Sequence, residues 1–421
     1  MEKTAEEETE EFISNMLSEE DHKSLLEQSK EKLQLMKKFK ESILYKDNIS
    51  IDDFEMIKSF AVSKGGFITS DFRKILYKKI YCINNENKDD YAYVDKEKIQ
   101  AFEKDMLQIK CFDFVKKGSN TKESPDKKII YLDASRSKIA IMIMNSSKGR
   151  SNETNKIEKT IKKKLENFII DMTSLNNNVY TYYQGYHDIG LYFLLLYYTN
   201  VEAAQNVFQH FSEFVLKENL QSKRTKSNDA FEVVSCLVIL RELIRMFSPN
   251  VQEFLDQVME NGFATFATSW ILSLFTHCVD TTRLNYRLMD YFMVSHPLGV
   301  YVISALIIID KILEINAKEG NVESLGSESE LFRYFNNEID MEKIDYDYYI
   351  EKCEEKMKTI DHTALKNRYK EINVKKYYPL AVNESYTKKF VMFKNINETN
   401  SLFWYAKKSW LSIKKQLGVY D

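Results

Sequence analysis

Four prolines and eleven glycines in a chain of 421 residues leave too few turn-formers for the many tight hairpins of an all-β fold. Long helices joined by short polar loops are therefore the expectation. The spacing of apolar residues agrees. Ile157, Ile161, Leu165 and Phe168 step by four, four and three along one helix face that continues to Met172. Residues 189–198 are almost wholly apolar, which suits a helix buried on most sides. Residues 231–247, 251–259, 265–275, 286–294 and 300–315 give five further helices. Near the start, Leu25, Leu26, Leu33, Met36 and Ile43 recur among Lys and Glu, so residues 22–45 read as one amphipathic helix. Gly65 and Gly66 end a segment, and Thr69, Ser70 or Asp71 caps the helix that begins near Phe72. Residues 84–90 and 117–126 read as polar loops.

Charge and cysteine usage exclude several functions. Sixty Lys and Arg against 63 Asp and Glu give a formal charge of −3, without the basic footprint of a nucleic-acid binder. Cys82, Cys111, Cys236, Cys278 and Cys353 form no CxxC pair, which argues for reduced thiols and against a disulfide framework or a zinc site. The first 20 residues carry eight Glu and one Lys, the opposite of a secretory leader, and read as a mobile acidic tail. The longest apolar run, residues 299–309, is too short to span a bilayer. A cytoplasmic protein is expected. The division is residues 1–50 as acidic tail and amphipathic helix, 51–315 as the main domain, and 316–421 as a helical extension.

Three ordered segments carry a chemical signal. They are Asp71-Phe-Arg73-Lys-Ile-Leu-Tyr77, Ile130-Tyr-Leu-Asp133-Ala-Ser-Arg136, and Tyr182-Tyr183-Gln184-Gly185-Tyr186-His187-Asp188-Ile189. Farther on come Ser269-Trp270, Arg287-Leu-Met-Asp290 and Ser295-His296-Pro297-Leu298. Together they resemble the TBC domains that activate Rab-type GTPases, over roughly residues 65–313. The family opens on Arg-x-x-x-Trp, and here Tyr77 replaces the Trp; a smaller aromatic loosens the packing behind the motif. Ile-x-x-Asp-x-x-Arg and Tyr-x-Gln fit without departure. The His-Asp tail and the Ser-His-Pro-Leu segment look like one branch, the ER-anchored activators of the Rab/Ypt GTPase of ER-to-Golgi traffic.

The resemblance implies an all-α TBC-type domain that binds a Rab/Ypt GTPase. It holds no cofactor of its own and acts on the Mg-GTP of its partner. Arg136 takes the place of the arginine finger and Gln184 that of the glutamine finger. Arg73, Asp133, Tyr182 and Tyr183 support them, with Tyr182 packed behind the glutamine. The residue types suit the chemistry. A guanidinium matches negative charge building on the transferring phosphoryl group, and an amide can both accept from and donate to the attacking water's surroundings. An arginine finger is worth ~10³ to 10⁵ in rate, or about 4–7 kcal/mol.

Other readings stand beside this one. Taken singly, Arg136 is a surface arginine and Gln184 a helix-start glutamine, so the ordered set of motifs carries the assignment. A catalytically inactive TBC-fold module that binds a GTPase or scaffold is the alternative. Arg287 and Asp290, three apart, read as a local ion pair. His187 and Asp188 as a general base with its carboxylate are rejected, because adjacent helical residues point apart and no nucleophile is tied to them. Phe403, Ala406, Trp410, Ile413 and Leu417 form a stripe beside Lys residues. It either docks on its own domain or lies peripherally on an anionic membrane, ER or other.

Overall fold

The computed structural model describes residues 3–43, 46, 51–80, 126–146, 151–174, 181–216, 220, 231–319, 326–361 and 365. Among these are sixteen α-helices and no strand. They are α1 (Ala5–Leu26), α2 (Lys30–Ile43), α3 (Ile51–Val62), α4 (Ser70–Lys79), α5 (Lys127–Ser135), α6 (Ile139–Asn145), α7 (Asn152–Ser174) and α8 (Tyr186–Leu196). There follow α9 (Val201–Phe211), α10 (Phe231–Phe247), α11 (Pro249–Val258), α12 (Thr268–Leu272), α13 (Thr282–Val294), α14 (Gly299–Glu319), α15 (Glu328–Arg333) and α16 (Tyr346–Met357). The all-α expectation holds. Loops 84–90 and 117–125 and the stripe at 403–417 lie outside the described residues. No helix among those described is long and apolar enough to cross a membrane.

Helix α7 organises one half of the molecule. Its buried face is the expected Ile157, Ile161, Leu165, Phe168 and Met172, and α1, α5, α6 and α8 all pack on it. Each such side chain removed from water contributes ~1.5–3 kcal/mol. Every residue of α8 is buried, in keeping with its apolar run from Ile189 onward. Its aromatic Phe193 stacks on Phe208 of α9, ring centres 4.9 Å apart. In the other half α14 packs on α10 and α16, with α3 against α13 and α16.

The amino-terminal residues correct the expected acidic tail. They form α1, because Thr4 and Glu7 make a capping box: Glu7 N–H donates to Thr4 Oγ1 at 3.2 Å, and Thr4 N–H donates to Glu7 Oε2 at 2.7 Å. Phe12, Ile13, Met16 and Leu17 are buried. The single helix expected over 22–45 is two. The chain breaks after Leu26 because the Ser29 hydroxyl accepts from Lys32 N–H at 3.2 Å and starts a new helix. Residues 265–275 are likewise not one helix. A 3₁₀ turn leads into the five-residue α12, and Leu274 and Phe275 then take positive φ of 51° and 68°. Burial of Trp270 and Phe275, stacked at 5.9 Å, holds that turn.

Arg287 and Asp290 do not pair with each other. Asp290, fully buried, accepts from Arg73 Nε at 2.9 Å and Nη2 at 2.9 Å, from the Tyr77 hydroxyl at 2.7 Å and from Phe67 N–H at 2.8 Å. Burial works against the Arg73 charge, but the Asp290 carboxylate outweighs it and raises the pKa. Tyr77 is therefore not a loosened Trp; its ring is buried and its hydroxyl bonds the same carboxylate. Room for this cluster exists because position 66 has no side chain. At Gly66, with φ of 57°, a Cβ would lie 2.5 Å from Asp290 Oδ2.

Arg287 instead caps α3. It donates to the carbonyls of Ala61 (2.8 Å), Val62 (3.0 Å) and Ser63 (3.2 Å) and pairs with Asp347 of α16. Lys32 of α2 reaches the same helix end, at Ser63 O (3.1 Å) and Ser63 Oγ (2.9 Å). Two cations thus complement the carbonyl end of α3. Burial, and then Arg287, push the Lys32 ammonium down to about 7.

Replacing Asp290 by Ala strands a buried guanidinium and should lower stability by about 3–5 kcal/mol. A denaturant midpoint equal to wild type would remove the cluster from its structural role.

Candidate functional site

Helix α5 and the segment 181–185 meet over α7. At the start of α5 the Asp126 Oδ2 accepts from Tyr182 N–H at 2.9 Å. Near its end Asp133 Oδ2 accepts from the Tyr182 hydroxyl at 2.8 Å. One tyrosine therefore spans α5, its main chain tied at one end and its side chain at the other. Thr181 N–H donates to Leu220 O at 2.7 Å and fixes the segment from behind. The expected packing of Tyr182 behind the glutamine turn is a pair of hydrogen bonds, made in a buried setting. Burial, and then Asp133, push the Tyr182 hydroxyl pKa up.

Gln184 lies on the turn that this segment makes into α8, and its side chain is exposed. Gly185 takes φ of 103°, which only glycine adopts without strain, and sits against Leu272 O and Ser273 Cβ, 3.4 Å from where a Cβ would be. The turn is thus pressed onto the end of α12. Tyr183 and Tyr186 are buried beneath it, ring centres 5.7 Å apart. Among the described residues the Gln184 side chain makes no hydrogen bond.

Arg136 follows the last residue of α5 and its side chain is 71% exposed. It folds back on its own helix, donating from Nε to Leu132 O at 3.2 Å and from Nη2 to Asp133 Oδ1 at 3.3 Å. Its main chain is held on both sides. Lys162 of α7 donates to Ser135 O at 2.6 Å, and Lys138 reaches Val279 O at 3.0 Å and Asp280 Oδ1 at 2.6 Å. Asp133 is the common member, receiving Arg136 on one oxygen and Tyr182 on the other. Of the six site residues expected, Arg136, Asp133 and Tyr182 are bonded together, and Tyr183 and Gln184 follow on the same segment. Arg73 is not among them; its bonds go to Asp290 and Ile68 O.

Sequence reasoning missed what lies under the turn. The Tyr182 hydroxyl is 2.8 Å from His187 Nδ1, His187 Nε2 is 3.2 Å from Asp188 Oδ1, and Asp188 Oδ2 is 3.0 Å from His277 Nδ1. The expectation that His187 and Asp188 diverge is therefore corrected: in the first turn of α8 the Asp188 carboxylate folds between two imidazoles. No spacing in the chain could pair His277 with a residue 89 positions earlier. Asp126, Lys138 and Lys162 were also missed, each being an ordinary polar residue until its partner is known. Burial pushes the Cys278 thiol up, away from a reactive thiolate. Among the described residues no group of His, Cys, Asp and Glu is arranged to hold a metal ion.

The His277 side chain is half-exposed, and its bond to Asp188 raises its pKa. A raised folded pKa means that this contact's charge-dependent stabilisation is full below the unfolded value of 6.5 and is lost as pH rises through the folded value. The stability difference between wild type and His277→Gln should be larger at about pH 5.5 than at about pH 8.5. Equal differences at the two values would rule the linkage out.

Comparison with known proteins bears on the arrangement. The Rab-GTPase-TBC domain model matches residues 70–315. TBC1 domain family member 20 of Homo sapiens is 24% identical over 263 residues, covering 62% of this chain and 55% of that protein. The Mus musculus protein of the same name matches to the same extent. The GTPase-activating protein gyp10 of Schizosaccharomyces pombe is 28% identical over 129 residues, 31% of this chain and 32% of that one. The chain spans about half the length of the mammalian relatives it matches.

Proposed function

The chain belongs to the Rab-GTPase-TBC domain family, and from that premise we propose that it accelerates GTP hydrolysis by a Rab/Ypt GTPase, with Arg136 and Gln184 acting in trans. One observation carries the reading. Arg136 and Gln184 are exposed, while Asp133, Tyr182, Tyr183, Gly185 and His187, which hold or underlie them, are buried. Both are side chains able to leave the surface, mounted on main chain that is held.

Hydrolysis of bound GTP needs charge compensation on the phosphoryl oxygens and a water held in line. Arg136 supplies the first when its two long resting bonds, each worth about 1 kcal/mol or less at such an exposed position, are exchanged for phosphate oxygens. Gln184 supplies the second with its carbonyl and amide. The GTP and Mg²⁺ belong to the partner; this chain contributes the cation, the amide and the shape that excludes water. The departure at Tyr77 does not argue for a disabled domain, since that ring is buried and bonded. The His187-Asp188 tail and the Ser295-His296-Pro297-Leu298 segment further support a GTPase of ER-to-Golgi traffic as the partner.

Phosphate release from GTP-loaded Rab proteins, each with wild type, Arg136→Ala and Gln184→Ala, tests the reading. At least one Rab should respond, with kcat falling ~10³-fold for Arg136→Ala and KM little changed. An undiminished rate with Arg136→Ala would overturn the finger assignment. Saturable binding with no phosphate release would make the protein a binding module.

A further inference from the structure

Arg136 lies in the three-residue link between α5 and α6, and the link is only as firm as the places to which its two ends are tied. The upstream end is tied to α7, where Lys162 donates to Ser135 O. The downstream end is tied by Lys138, whose side chain is 12% exposed, to Val279 O at 3.0 Å and Asp280 Oδ1 at 2.6 Å. Those two acceptors belong to the loop that enters α13. From within α13 the buried Asn285 holds this loop by its carbonyls, donating from Nδ2 to Val279 O at 2.9 Å and to Thr281 O at 3.1 Å. The N–H groups of the loop are held from elsewhere.

They go to Glu342. Its carboxylate accepts from Asp280 N–H, from Thr281 N–H at 3.2 Å and from the Thr281 hydroxyl. Thr281 is the N-cap of α13, and a threonine there ordinarily turns its own oxygen onto the first N–H groups of its helix. Here Thr281 makes no such bond, and its hydroxyl donates instead to a residue 61 positions later. The entry to α13 is thus capped from outside, by a carboxylate that also suits the positive end of the helix. Glu342 is carried on a 3₁₀ turn, Met341–Lys343, which is itself fixed. Asp340 Oδ1 accepts from Glu342 N–H at 3.1 Å, Met341 and Ile344 are buried, and the Tyr346 hydroxyl donates to Met341 O at 3.1 Å.

We propose that Glu342 is a positioning residue for Arg136, acting through the 279–281 loop and Lys138. The proposal rests on the reading of Arg136 given above, and it extends the site past residues 70–315, the part matched by the family model. Without the Glu342 carboxylate, two main-chain N–H groups and a hydroxyl lose their acceptor, and Asn285 is left to hold the loop by its carbonyls. The acceptors of Lys138 then shift, and the 136–138 main chain keeps its tie at Ser135 O without a firm one at Lys138. Arg136 stays charged and exposed but is aimed from a looser mount. Aim matters where the guanidinium meets charge that develops on the phosphoryl oxygens, and much less for docking of the partner. The loss therefore falls on kcat rather than KM.

Hydrogen exchange tests the mount without any GTPase. In Glu342→Ala the 136–142 amides should exchange about three- to tenfold faster, together with those at 279–282, while the 165–169 amides of α7 keep their wild-type rates. Unchanged exchange at 136–142 overturns the proposal. Should Glu342→Ala loosen α7 as well, Glu342→Asp, which withdraws the carboxylate by one methylene, takes its place with the same expectations. In the hydrolysis assay kcat should fall about three- to tenfold with KM steady, the worth of one hydrogen bond. Lys138→Met should do the same, and the double variant should lose no more than either single one, because both act along one path. An undiminished kcat in a responding Rab, or losses that add in the double variant, overturns the positioning role, and Arg136→Ala still inactive leaves the finger reading intact. If Arg136→Ala is fully active, the finger reading falls and the positioning proposal falls with it.

Discussion

Asp290 is the point on which the two halves of the chain are fastened. Its carboxylate lies out of water and collects a guanidinium, a phenol and a main-chain N–H from a stretch more than 200 residues earlier. Desolvating such a pair costs several kcal/mol, and attraction alone does not return a large surplus. What it secures is uniqueness. A buried carboxylate with three donors has one satisfactory arrangement, so α13 can sit against the 67–77 segment in a single register, whereas the surrounding phenylalanines would accept several. Gly66 admits that carboxylate, and the Arg287–Asp347 pair extends the same logic to α16.

Legibility in the sequence followed the range of the forces involved. The face of α7 and the wholly buried α8 were plain, because burial repeats with helical period over many residues. The helix boundaries near residue 27 and residue 274 were not, since each depends on a local bond or on an aromatic finding its cavity. Residues 5–20 were misread because seven glutamates mask four buried apolar side chains, though Thr4 and Glu7 carried a capping signal. The exposed pair Arg136 and Gln184 was legible only through motif order. Their supports were partly so: Asp133 and Tyr182 belong to the motifs, while His277 and Lys138 act through partners that folding alone brings near. The Arg287–Asp290 spacing misled because three-residue proximity is a weak force beside a buried partner from elsewhere.

The site divides its labour between fixed and movable parts. Main chain at 135–138 is stapled by Lys162 and Lys138, and the glutamine turn is held by Asp126, Asp133 and the packing of Gly185. The two side chains at the front, Arg136 and Gln184, are left exposed. Under the proposed function, such preorganisation keeps the entropy of placing Arg136 small without sacrificing its reach. It also explains why the sequence around Arg136 alone says so little: an arginine after a helix end is common, and the staples are what set this one apart.

The resting contacts of Arg136 have a consequence in time. An exposed side chain exchanges rotamers in picoseconds to nanoseconds, and its two bonds of 3.2 and 3.3 Å to a helix end are of the kind broken on that scale. A protein partner arrives by diffusion orders of magnitude more slowly. Many swings of the guanidinium therefore fit inside a single encounter, and its extension is never the event being waited for. If Arg136 and Gln184 act as proposed, discrimination among GTPases falls to the lifetime of the docked pair, and so to the surfaces around these two side chains rather than to the side chains themselves.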